Sequence, residues 1–208
     1  MAQTQYLHAQ AIEPAVTDQD EAAVETALAN PAAFAVLYRR YATDVYRYCY
    51  RRLGDREAAE DATSQTFTRA ITGLGGLKDR PFRPWLFTIA RNVLIDSYRR
   101  QHQTSSLDQI PEREDPSPTP ESAAIAVEDR SIIRLLLLRL PERDRQVVEL
   151  RLAGLSGLEI GEALGCSHSA VRVAHHRAVE RLRELMAAEG FWVAETASKD
   201  MTDASSRR

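Results

Sequence analysis

Apolar positions along this chain follow helical periods and nowhere the alternation of a strand. From Pro31 onward, Phe34, Leu37, Tyr38, Tyr41, Val45, Tyr48, Cys49 and Leu53 recur at three- and four-residue steps. They predict an amphipathic helix ended by Gly54. Asp55 is placed to cap a second helix, with Glu57 and Glu60 in its first turns, where the dipole favours acids. Its predicted apolar side holds Ala58, Ala62, Phe67, Ala70 and Ile71, and Gly73 stops it. The glycines and proline of Gly73–Arg83 read as a loop. Pro84 then opens a third helix with Trp85, Leu86, Ile89, Ala90, Val93, Leu94 and Tyr98, ending in Arg99-Arg100. Before Pro31 the periodicity is weak; a short helix over Asp20–Ala29 is expected, with a mobile stretch ahead of it.

Residues 101–129 are rich in Ser, Thr, Pro and acids, with four prolines between Pro111 and Pro120, and read as a flexible linker. A helix beginning near Ala123 or Asp129 carries Ile132, Ile133, Leu136, Leu137 and Leu140, and Pro141 breaks it. From Leu140 to Met186 the pattern is that of helices separated by turns, with a helix-turn-helix at Ser156–Arg181. Ile160, Gly161, Leu164, Gly165, Val171 and Ala178 stand where that motif needs small or apolar groups. Gly161 is expected to let the second helix approach closely, and Gly165 to supply a turn with positive φ. Val171 should face the first helix, leaving Ser169, Arg172, His176 and Arg177 outward for a major groove. Ala188–Arg208 is small and polar apart from Phe191-Trp192, and is expected to fray. The predicted fold is all-α: two small helical domains, residues 31–100 and 130–187, joined by a flexible acidic linker. Residues 1–30 form an acidic extension, and 188–208 a tail.

Composition alone is that of an ordinary soluble protein, 44% hydrophobic and 27% charged, and the net charge of −3 argues against a polyanion partner. The distribution reverses this. Residues 1–30 carry −5, 31–100 carry +6, 101–129 carry −6, 130–190 carry +2 and 191–208 carry 0. Basic helical blocks alternate with acidic, poorly patterned ones, an asymmetry suited to nucleic acid. Cys49 and Cys166, without metal-ligand spacing, are expected to be free structural thiols. No nucleophile–base pair, phosphate-binding glycine loop or metal cluster is visible, so neither enzyme activity nor a cofactor or metal is expected. With no signal-peptide pattern and no long apolar run, membrane insertion is not expected and the cytoplasm is the expected compartment.

Three stretches resemble the bacterial RNA polymerase sigma factors of the extracytoplasmic-function (ECF) group. They are AEDATSQTF (Ala59–Phe67), FRPWLFTIARNVLIDSYRR (Phe82–Arg100), and LPERDRQVVELR followed by EIGEALGCSHSAVR. The resemblance covers residues 34–100 and 130–187. It implies a region 2-like domain that docks on core polymerase and melts and reads the −10 element, and a region 4-like domain that reads the −35 element. It also implies an anti-sigma partner that occludes the polymerase surface, and a linker that threads toward the polymerase active-site cleft. The chain departs from the family pattern at Ser64-Gln65, where Gln-Glu is usual, and at Val173-Ala174, where Ser-Arg is frequent. The second change exchanges a cation for an apolar contact, such as with a thymine methyl.

On this resemblance Glu60, Asp61, Gln65 and Phe67 are the candidate polymerase contacts, although the acids would also serve a helix dipole. Lys78, Arg80, Phe82, Arg83, Trp85, Arg91, Asn92, Arg99 and Arg100 are candidates for the −10 strand. Cations would hold phosphates, and aromatics would receive unstacked bases at about 1–3 kcal/mol per base. Core packing is the competing reading for Phe82, Trp85 and Phe87, and a polar surface group for Asn92. His168, Ser169, Arg172, Val173, His176 and Arg177 are candidates for the −35 duplex. A stand-alone helix-turn-helix regulator with an N-terminal dimerisation or sensor domain is the alternative function. Promoter elements two helical turns apart are separated by roughly 70 Å. The 29-residue linker spans roughly 30 Å as a coil and about 100 Å when extended, so a compact free protein and a stretched bound one are expected.

Overall fold

The computed structural model describes residues 17–78, 80–104 and 132–188; the expectations for residues 1–16, for the linker beyond Thr104 and for the tail lie outside these. The described residues form helices and turns and contain no strand. α1 (Thr17–Ala29) begins three residues earlier than the pattern suggested. It also belongs to the packed unit. Val24 and Ala27 are buried in the core, and the buried Asp20 carboxylate accepts from Arg40 and from the Tyr41 hydroxyl. A boundary at residue 30 therefore cuts through packed structure.

The Asn30 side chain accepts from Ala32 N and starts a 3-10 turn, Pro31–Phe34, that leads into α2 (Ala35–Leu53). Leu37, Tyr41, Val45, Tyr48 and Cys49 face inward on α2, and Gly54 ends it in the left-handed region at φ +70°. α3 (Arg56–Gly73) is capped as expected, Asp55 accepting from Ala58 N at 2.8 Å. Its buried side differs from the predicted one. Ala59, Thr63 and Thr66 join Ala62, Phe67 and Ala70 inside, while Ile71 is exposed. The two threonines are tolerated there because each hydroxyl donates to the carbonyl four residues back, at 2.7 Å. The expected Gly73–Arg83 loop is shorter than predicted: a 3-10 turn, Leu74–Gly76, buries Leu74, and Leu77 follows it into the core. α4 (Phe82–Thr104) then starts two residues before Pro84 and runs past Arg100.

The second unit begins with α5 (residues 132–138), followed by α6 (Glu142–Leu152), α7 (Gly157–Leu164) and α8 (His168–Ala188). Ser156 and Glu159 form a reciprocal capping box at the start of α7. Gly165 turns the chain at φ +64°, as the sequence indicated; a Cβ on Gly161 would lie 2.8 Å from the Cys166 carbonyl oxygen, so that glycine admits the turn before α8 rather than α8 itself. Val171, Ala174 and Ala178 are the buried face of α8. Cys49 and Cys166 are free thiols, the former buried.

The two units are packed together, and one apolar cluster runs from Leu37, Phe87 and Val93 to Leu150, Ile160 and Val171. At its edge Arg52 of α2 donates to Glu149 at 3.0 Å and to Glu142 at 2.7 Å, both on α6. The Arg52 and Glu149 side chains are only 4% and 2% exposed. Two further arginines cap helix ends across the junction. Arg134 donates to Leu53 O over Gly54, and Arg83 donates to Ala153 O over Gly154, each at 3.1 Å. A Cβ on either glycine would strike the visiting guanidinium. Each arginine thus places positive charge at a helix C-terminus, where carbonyls are unpaired and the dipole is negative.

Candidate polymerase and nucleic-acid interfaces

Between α2 and α3 runs a groove of about 730 Å³, mostly apolar, with Tyr38, Tyr46, Phe67 and Ile71 among its lining residues and Glu60 and Ser64 among its polar ones. The Phe67 ring is buried beneath it, edge-on to Phe34 and Tyr38 with centroids 6.3 and 4.8 Å away. Of the four expected polymerase contacts, Glu60 and Phe67 therefore meet in the groove. Asp61 is exposed outside its lining and Gln65 is half-buried. Glu60 also pairs with Arg56 at 2.8 Å, one turn earlier. The sequence pattern puts Tyr38 and Ile71 on the apolar faces of their helices, but both are large apolar side chains left exposed, which is the usual mark of a contact surface.

The residues expected at the −10 strand divide into three sets. Lys78, Arg80, Asn92 and Arg99 are exposed, and Lys78 holds its backbone at φ 51°, unusual for a residue with a side chain. Trp85 is half-buried, its ring 3.5 Å from where a Cβ on Gly73 would stand. Phe82 is a correction. It is buried against Phe34, Tyr41 and Trp85, so it anchors the start of α4 and offers no face to a base. Phe87 is fully buried against Tyr48, as the packing alternative held. Arg83 is half-buried and held within the junction between units, donating to Ala153 O and lying 3.7 Å from Glu159, so it faces DNA only if that junction opens. Arg91 is half-buried with its Nε enclosed and unbonded. Arg100 lies on α4, but its side chain is outside the described residues.

The six residues expected at the −35 element are brought together. His168, Ser169, Arg172, Val173, His176 and Arg177 are all exposed on α8, opposite its buried face. Five of them line a recess of about 540 Å³, together with His175 and Arg151 from α6. Partial burial, with Arg151 and His176 nearby, holds His175 below the ordinary histidine range, so it adds no charge at neutral pH. Arg151 was missed because it belongs to another helix, and spacing along α8 carries no trace of it. Its Nη1 donates to Leu155 O at 3.2 Å.

Among the described residues, then, two packed helical units carry an exposed helix-turn-helix face on one and, on the other, exposed cations and an apolar groove between two of its own helices. Residues 37–104 match Sigma-70 region 2, and residues 130–182 match Sigma-70, region 4. ECF RNA polymerase sigma factor ShbA of Streptomyces griseus is 40% identical over 67% of this chain and 80% of its own. A second relative, ECF RNA polymerase sigma factor BldN of Streptomyces coelicolor, is 34% identical over 78% of this chain, a match that spans 64% of BldN. Among solved structures, CnrH in complex with the cytosolic domain of CnrY aligns with a TM-score of 0.63 and 28% identity. That alignment covers 80% of this chain and 95% of CnrH. The chain belongs to the ECF RNA polymerase sigma factors, the family whose members direct RNA polymerase to promoters.

Proposed function

We propose that this sigma factor directs core polymerase by two-point promoter reading. The α2–α3 groove, with Asp61 and Gln65 beside it, docks on polymerase. Lys78, Arg80, Asn92 and Arg99 hold the opened −10 strand around Trp85, and the exposed face of α8 reads the −35 duplex. The observation that carries this reading is the two-sidedness of α8. Ser169, Arg172, Val173 and His176 are outward while Val171, Ala174 and Ala178 are buried. The family match sets aside the stand-alone regulator. We place the protein in the cytoplasm and assign bond chemistry to polymerase. Among the described residues no helix is long and apolar enough to cross a membrane, and no three metal-ligating side chains converge. A partner protein of anti-sigma type fits the groove's apolar lining, in keeping with the CnrH–CnrY complex.

Simultaneous reading requires the units to separate, because α7 and the turn before it cover one side of α4, where Thr88 meets Ala163 and Arg83 meets Ala153. Run-off transcription with purified core polymerase on a promoter library tests the proposal. Template-specific initiation dependent on the chain is expected; absence of both initiation and core binding defeats it.

A further inference from the structure

The two arginines that α8 contributes to the recess, Arg172 and Arg177, are held differently. Arg177 donates from Nη2 to Asp144 Oδ1 at 2.9 Å, and its side chain is 60% exposed while that of Asp144 is 7% exposed. Asp144 stands in the first turn of α6, where the helix dipole favours a negative charge. Arg172 is exposed in the same recess and has no ion pair among the described residues. We infer that Asp144 is a positioning residue that makes Arg177 the base-discriminating arginine, whereas Arg172 supplies phosphate attraction without base preference. The inference rests on the reading that α8 enters the −35 major groove.

The physical reason is orientation. Bidentate recognition of a guanine needs the planar guanidinium in one pose, and a long side chain normally loses rotamer freedom to reach it. A buried carboxylate that already holds one N–H fixes the plane and leaves other donors outward. An untethered arginine instead follows whichever phosphate is nearest, which gives affinity but no base readout. Two arginines five residues apart thereby acquire separate tasks from a residue on another helix.

The test uses the full chain with core polymerase, measuring occupancy of promoters randomised over the −35 element at two salt concentrations. Arg177→Ala should lower preference at one base pair by about 5- to 150-fold. Asp144→Asn should lower preference at that same pair by about two- to tenfold. The double variant should be no worse than Arg177→Ala. Arg172→Ala should weaken all sequences alike and reduce the salt slope by about one. Arg177→Lys keeps the charge facing Asp144 but loses the fork; it should show the positional loss without a change in melting. A uniform gain in affinity for Asp144→Asn would make Asp144 a mere neutralising anion and overturn the inference, as would an unaltered preference for Arg177→Lys. If Arg172→Ala, His176→Ala and Arg177→Ala all leave −35 preference intact while core binding persists, the reading of α8 itself fails.

Discussion

Gly161 shows how much a single residue settles. The atom a Cβ would meet, 2.8 Å away, is the Cys166 carbonyl oxygen, a backbone atom that cannot rotate aside. Gly161→Ala should therefore lower stability by about 1–3 kcal/mol, read as a shifted unfolding midpoint in urea. An unchanged midpoint would mean that the turn can yield. Gly165 differs, since a Cβ there meets open space and only its φ of +64° resists substitution. Both positions were legible as glycine sites because the spacing of a helix-turn-helix constrains backbone separation directly. Val173 and Ala174 were less so. They were read together as one departure from the family pattern, yet Val173 is 56% exposed and Ala174 fully buried. The signal was present in the three- and four-residue steps linking Val171, Ala174 and Ala178. Ala174 is thus a packing position, and only Val173 alters what the surface offers to DNA.

At the scale of elements, the strongest local device is the capping box that begins α7. Ser156 Oγ accepts from Glu159 N at 3.3 Å, and Glu159 Oε2 accepts from Ser156 N at 2.7 Å. Ser156→Ala should cost about 1 kcal/mol of stability by thermal melting; no loss would show the reciprocal bond to be dispensable. The groove between α2 and α3 makes a different demand. Tyr38 is 47% exposed and lies on the Phe67 ring, so replacing it with Asp removes apolar surface without opening the core. Core-polymerase affinity should fall about tenfold while melting is preserved, within the range for an exposed aromatic at an interface. Equal affinity would move docking away from this groove. The helices of α2, α3 and the helix-turn-helix were legible as elements from their apolar steps and stop glycines, with the Asp55 cap marking the start of α3. The membership of α1 was not, because Asp20 is seated by Arg40 and Tyr41, and such polar pairing leaves no periodic trace. For the same reason the buried face of α3 was rotated by its internally bonded threonines.

At the scale of the molecule, the closed junction encloses charges no periodicity could reveal, since Arg52 and Glu149 lie on different helices and pair only once the units meet. Burial pushes the Glu149 carboxyl up to about 7, with Glu142 adding to the rise and Arg52 and Arg145 opposing it. Around it, burial raises the Tyr48 hydroxyl and lowers Arg51, while at Glu142 burial is outweighed by Arg52, which holds that carboxyl below its ordinary value. Separation would return Glu149 to water and toward its ordinary 4.5. Closing therefore takes up a proton between about 4.5 and 7, so the closed form is favoured as pH falls through that window and weakened as pH rises through 7. Glu142 has the opposite sign and acts only below its ordinary value, outside this range. Energy transfer between labels on the two units should report an open fraction rising from pH 6 to pH 8, with the opening constant changing by about tenfold. Glu149→Gln keeps an acceptor for Arg52, and Glu142 still neutralises that arginine, so the variant should stay closed and lose the pH response. A pH-dependent opening that survives in Glu149→Gln would assign the response to another group.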